Sequence, residues 1–104
     1  MSAAGLDSGP SQRIDKWLWH ARFARTRSAA QRLALSGHVR VNRDKVTAAS
    51  RLVREGDVLT LALGAGVRVI RIRGIADRRG SFEEALLLYL DESAPLVSTD
   101  SRPG

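Results

Sequence analysis

Residues 13–37 read RIDKWLWHARFARTRSAAQRLALSG, and the spacing within this stretch decides the architecture. Ile14, Trp17, Leu18 and Ala21 recur at helical intervals, which predicts a short helix over 14–23 with one apolar face. Asp15, Trp19 and Arg22 fall on another face, flanked by Lys16 and His20. Asp15 in the first turn suits the helix dipole. A break at 24–26 precedes a second helix over 27–36, with Thr26 as its N-cap. Ser28 is the rival cap, because Ser28 and Gln31 have capping-box spacing. Ala30, Leu33 and Ala34 form the buried stripe, and Gly37 ends the helix at C′, where a left-handed conformation is wanted.

Around these helices the charge is lopsided. Residues 12–54 hold 11 Lys/Arg against Asp15 and Asp44, whereas residues 55–104 carry 6 basic and 8 acidic groups, within a total of +6. A surplus confined to one half produces a one-sided positive field suited to a polyanion. A surface built only for solubility would intersperse both signs. The absence of cysteine rules out disulfides and thiolate metal sites. His20 and His38 lack the companions a metal site needs. No signal peptide is recognisable, and the apolar run at 85–90 is too short to cross a bilayer, so a cytoplasmic protein is expected.

The 104 residues allow one small domain. Residues 1–12 read as a disordered leader, 13–92 as the domain and 93–104 as a flexible tail. After Gly37 the period changes to two: 38–41 alternates, Asn42-Arg43-Asp44 forms a turn, and Lys45-Val46 resumes. Glu55-Gly56-Asp57 turns into a strand over 58–63. Gly64-Ala65-Gly66 joins it to a strand over 67–75, where Val67, Val69, Ile70 and Ile72 are core candidates. Asp77-Arg78-Arg79-Gly80 turns again, and Ser81 caps a last helix over 82–92, which would carry Glu83, Glu84, Asp91 and Glu92 as a solvated face. The fold class is α+β: two N-terminal helices on a small twisted sheet, with a C-terminal helix.

The candidate site lies on the helical pair. Arg22, Arg25 and Arg27 gather at one corner, where the amides of Arg27 and Ser28 add a backbone anion site. Arginine forks match phosphate oxygens in pairs and stack on bases. Trp17 belongs to the core, whereas Trp19 is either a stacking platform or a packing residue at the domain edge. Asp15 is expected to orient Arg22 or Lys16, or to accept from a ribose hydroxyl. His20 is a polar contact on the basic face, and His38 an ordinary residue at a strand start. No nucleophile elbow, phosphate loop or dinucleotide fingerprint occurs, so a catalytic set and cofactors are not expected.

The run R-I-D-K-W-L-W-H-A-R-F-A-R-T-R-S-A-A-Q-R-L-A-L-S-G-H-V-R-V-N, followed by E-G-D-V-L, resembles the S4-type RNA-binding domain. Its D-K-W-L-W…R-F…T-R opening is most similar to the ribosome-associated heat shock protein 15 family. The resemblance covers roughly residues 12–92 and implies an αL motif that grips structured RNA. It implies binding to a large ribosomal subunit that still carries peptidyl-tRNA on a stalled chain, as in ribosome quality control and the heat shock response. Arg13, Asp15, Lys16, Arg22, Arg25, Arg27 and Arg32 correspond to the RNA-facing motif, and Trp19 and Arg43 join them as candidates. The partners implied are rRNA, with tRNA and weak DNA binding allowed, no membrane, and a monomeric chain. The alternatives are an accessory subunit of an RNA-modifying enzyme and a general RNA/DNA binder. Two departures stand out. The chain ends without the basic tail of the longer relatives, and Asn42-Arg43 replaces the Asn-Gly turn common in the superfamily. If position 43 took a positive φ, arginine would be strained there.

Overall fold

The computed structural model describes residues 9–64 and 66–93. The expected leader over 1–8, the tail from 94 onward and Ala65 of the glycine joint lie outside the described residues. Strand β1 (Ser11–Arg13) leads directly into helix α1 (Ile14–His20), and helix α2 (Arg27–Ala34) follows. Then come β2 (Val39–Val41), β3 (Asp44–Lys45), β4 (Leu52–Arg54), β5 (Val58–Leu63), β6 (Gly66–Ile72), helix α3 (Phe82–Leu86) and β7 (Tyr89–Asp91). A five-stranded antiparallel sheet has the order β3-β2-β5-β6-β7, and β1 and β4 form a separate two-stranded ribbon. None of the described helices is long and apolar enough to cross a membrane.

The apolar face of α1 is buried as its spacing requires: Ile14, Trp17 and Leu18 are fully covered, with Ala21 beside them. They meet Ala30 and Ala34 of α2 and the inner sheet residues Val39, Val41, Leu59, Leu61, Ile70 and Ile72. Trp17 also donates its indole N–H to the Gly74 carbonyl at 2.9 Å, so the largest core side chain leaves no polar group unpaired. Phe23 and Tyr89 close an aromatic cluster over it, with centroids 6.0 and 6.4 Å from Trp17.

The ends of the helices show how the pair is joined. The amide of Arg22 donates to Trp19 O and that of Phe23 to Leu18 O, which is the Schellman arrangement. The left-handed position of that motif, normally glycine, is filled by Arg22 at φ 67. Thr26 then caps α2 by accepting from the Ala29 amide at 3.0 Å, as expected, and Ser28 does not serve. Gly37 takes φ 90, but α2 has its C-cap at Leu35, so the glycine lies two residues beyond the cap rather than at C′.

Four sequence expectations are corrected. Residues 11 and 12, assigned to the leader, pair in β1 with β4, a strand the alternation did not reveal. In β6, Ile70 and Ile72 face the core, whereas Val67 is 58% exposed on the opposite face. Cross-strand register with Leu59 fixes that choice. The last helix stops at Leu86, because Tyr89–Asp91 pairs with Ile70–Ile72 as the sheet's edge strand. The carboxylates therefore divide. Glu84 completes a capping box with Ser81, while Asp91 and Glu92 pair with Arg68 and Arg71 of β6. In the β2–β3 turn the positive φ falls on Asn42 (59), a residue that tolerates it, and not on Arg43.

Candidate nucleic-acid interface

The helical pair is organised around one buried acid. Asp15 has no solvent exposure. Arg13 forks onto it through Nε and a terminal nitrogen at 3.1 and 3.0 Å, and Arg27 reaches the same carboxylate at 3.3 Å. Burial alone would push this carboxyl up. The hydrogen bond from Arg13, the charge of Arg27 and a hydrogen bond from Gln31 outweigh burial and hold it below the usual carboxylate range. Asp15 thus orients Arg13 and Arg27, not Arg22 or Lys16. Being fully covered, it also presents nothing to a ribose hydroxyl. The side chains of Arg13 and Arg27 remain 47% and 37% exposed above it.

Lys16 is half-buried on α1, and Arg25 and Arg32 are exposed at the helix junction and on α2. None of the three has an acidic partner within ion-pair distance among the described residues. Their charge is thus available to an external anion, and only the buried Asp15 opposes it within the pair. Arg43 is exposed in the β2–β3 turn, where its carbonyl accepts from Arg40 at 3.4 Å; it shares no ion pair or hydrogen bond with the helix cations among the described residues.

Arg22 is directed elsewhere. Its guanidinium forks onto the Gly80 carbonyl at 3.0 and 2.8 Å, tying the end of α1 to the turn before α3. The corner of Arg22, Arg25 and Arg27 is therefore not a cluster of three free forks. Trp19 is half-buried against the core, and the Arg79 guanidinium lies 5.8 Å from its ring centroid. That arrangement matches the domain-edge packing role.

His20 is not a surface contact. It is 1% exposed, and its Nδ1 pairs with the Ala76 carbonyl at 3.0 Å. Burial lowers its pKa first, the Ala76 carbonyl raises it, and Lys16 and Arg27 lower it again, with a net fall. A carbonyl can only accept, so the neutral ring carries its proton on Nδ1. His38 is exposed just before β2, with its amide on the Ser36 hydroxyl.

Sequence reasoning missed the strap over residues 74–80. Gln12 and His20 both contact Ala76 O, and Arg79 donates to Trp19 O and Ala24 O at 3.0 and 3.3 Å. These partners lie 55 to 64 residues apart, so no local spacing announces them. Arg68 was also unread. It sits over Phe23 at 5.2 Å while paired with Asp91, which makes it structural.

A family model described as the S4 domain matches residues 12–59, the stretch holding both helices, the β2–β3 hairpin and every candidate cation. The chain is 42% identical over 77 residues to the Heat shock protein 15 homolog of Haemophilus influenzae, covering 74% of this chain and 58% of that protein. It is 38% identical over 85 residues to Heat shock protein 15 of Escherichia coli K12, covering 82% and 62%. The chain thus spans about three fifths of the length of these curated relatives. Vibrio cholerae Heat Shock Protein 15, whose solved structure is described as trimeric, matches with a TM-score of 0.76 at 35% identity, covering 86% of this chain and 89% of that one. Helix pair, hairpin and sheet agree with these likenesses: the chain belongs to the heat shock protein 15 family, with an S4 domain formed around α1 and α2.

Proposed function

We propose that this chain is a non-catalytic RNA-binding protein that acts on the ribosome, with the large subunit still holding peptidyl-tRNA as its target. The observation that carries the reading is the charge layout of the helical pair. Arg13, Lys16, Arg25, Arg27 and Arg32 keep exposed or half-exposed positive groups, while the acid between the helices is buried. Cations carried on a fixed helix pair recognise the path of a phosphate backbone rather than a base sequence. The S4 match over this stretch and the relatives named Heat shock protein 15 support the same reading. The reading places the chain in the cytoplasm.

Sedimentation of the tagged chain in lysate, with and without puromycin-type release of nascent chains, tests the ribosomal target. The expected result is co-migration with free large subunits that is lost on release. Recovery only at the top of the gradient overturns it. Competition between a structured RNA and duplex DNA at matched salt separates this reading from a general nucleic-acid binder, which would show no preference. The unit assigned here is the single chain; light scattering of the free protein distinguishes it from a trimer like the one described for the V. cholerae relative.

A further inference from the structure

Asp15 is the one acid among the helix cations, and it is placed where electrostatics alone would not put it. A carboxylate on a phosphate-binding face repels its ligand, yet this one lies beneath the surface with no exposure. Both of its guanidinium partners rise above it to solvent. Arg13 comes from the end of β1 and Arg27 from the first position of α2, so the carboxylate links two elements while fixing the direction of both forks. Arg13 spends Nε and one terminal nitrogen on Asp15, and Arg27 spends only a terminal nitrogen. Each guanidinium, with five N–H donors to offer, keeps donors for a second oxygen ligand. The Nε of Arg27 is buried and unpaired, so it is not one of those donors.

We propose that Asp15 is a positioning residue for phosphate recognition: from below, it holds Arg13 and Arg27 as a paired guanidinium clamp that takes one or two phosphate groups of an RNA backbone. This rests on the RNA-binding reading above. Asp15 itself touches no RNA. Its charge preorganises the two arginines, which would otherwise repel each other and lose side-chain freedom only on binding.

The test is fluorescence anisotropy of the full chain with a labelled hairpin RNA across a potassium chloride series. Each phosphate contact contributes roughly 0.7 to 0.9 to the slope of log affinity against log salt. Asp15→Asn, verified as folded by circular dichroism, is expected to lower that slope by about 0.7 to 1.8. In an Arg13→Ala/Arg27→Ala background it should change the slope no further. A merely structural role would reduce the folded fraction and leave the slope of the folded protein unaltered. Asp15→Glu, which keeps the charge, should restore part of the slope. If the native chain binds but folded Asp15→Asn keeps the full slope, the clamp is overturned and the RNA reading stands. If the native chain binds no structured RNA, the RNA reading itself falls. Should Asp15→Asn not fold, Arg13→Ala and Arg27→Ala decide the matter, since an unaltered slope in both overturns the clamp.

Discussion

Arg79 covers Trp19 and holds it at two levels: its guanidinium lies 5.8 Å from the indole centroid, and its Nε donates to the Trp19 carbonyl at 3.0 Å. The tryptophan that most resembled a base-stacking platform therefore already has a cation on its ring. Its backbone is tied through the same arginine to Ala24, across the turn between α1 and α2. Arg79 thus ties the end of α1 to the turn that leads into α2, although it lies outside the segment matched by the S4 model.

Arg79→Ala should consequently act on stability before it acts on RNA. It leaves two backbone carbonyls to water and uncovers the indole, a loss of about 1–3 kcal/mol. Urea denaturation would show a lower midpoint, and acrylamide would quench the tryptophan fluorescence more strongly than in the native chain. The salt slope of RNA binding by the folded variant should be unchanged. An unaltered midpoint together with a reduced slope would make Arg79 an RNA contact instead.

Arg22 supplies a prediction whose sign is unusual. It occupies a left-handed position at φ 67, where an L residue is strained by about 1–2 kcal/mol. Its fork on Gly80 offsets that strain. Arg22→Ala removes the fork and keeps the strain, whereas Arg22→Gly removes both. The glycine variant should therefore be the more stable of the two by roughly 1 kcal/mol, the reverse of the order in a helix interior. Thermal or urea unfolding of the two variants side by side checks the order.

Much of this was legible in the sequence where the signal is local. The Thr26 cap, the Ser81 box, the positive φ of Gly37 and the burial of Trp17 all follow from spacing over a few residues. What escaped depends on partners far along the chain. Leu52–Arg54 is too short to announce a strand until Ser11–Arg13 lies beside it. The Ser81 capping box and the apolar run behind it predict a helix as far as residue 92, but the open edge of β6 claims Tyr89–Asp91. The same holds for the candidate site. That the cations of residues 13–32 form a group was readable, but which arginine Asp15 would hold was not. Spacing favoured Arg22 on the same helix face, while the packing of α1 on α2 brought Arg27 instead.

Arg25 and Arg32 provide the cleanest test of the proposed phosphate-binding face, because both are exposed and neither has an ion-pair partner among the described residues. Replacing either by alanine should leave stability within about 0.5 kcal/mol, as surface changes away from special features usually do. Each should also lower the salt slope of RNA binding by roughly 0.7 to 0.9 if it contacts a phosphate. Differential scanning calorimetry and salt-dependent anisotropy read the two quantities separately. A full slope in both variants would move the interface away from the helix junction.

His20 makes stability depend on pH in a window clear of the carboxylates. Its folded-state pKa is lowered, chiefly by burial and further by the charges of Lys16 and Arg27, against the opposing pull of the Ala76 carbonyl. A lowered pKa means that the unfolded chain takes up the proton more readily. Stability from the neutral ring is then fully present above about pH 6.5 and is lost as the pH falls below it. The carboxylates respond later. Burial would raise the Asp91 pKa, but Ser93 and Arg68 outweigh it and bring it from 3.8 to about 2, so its contribution is lost only as the pH falls through that interval. Asp15, also lowered, follows the same direction. Unfolding free energies measured from pH 7.5 to pH 4.5 should therefore fall by an amount that His20→Gln largely abolishes, leaving the loss at lower pH intact. A native chain with a flat profile through that range would mean that His20 protonates equally well in the folded and unfolded chain, and that the strap over residues 74–80 yields to admit the charge.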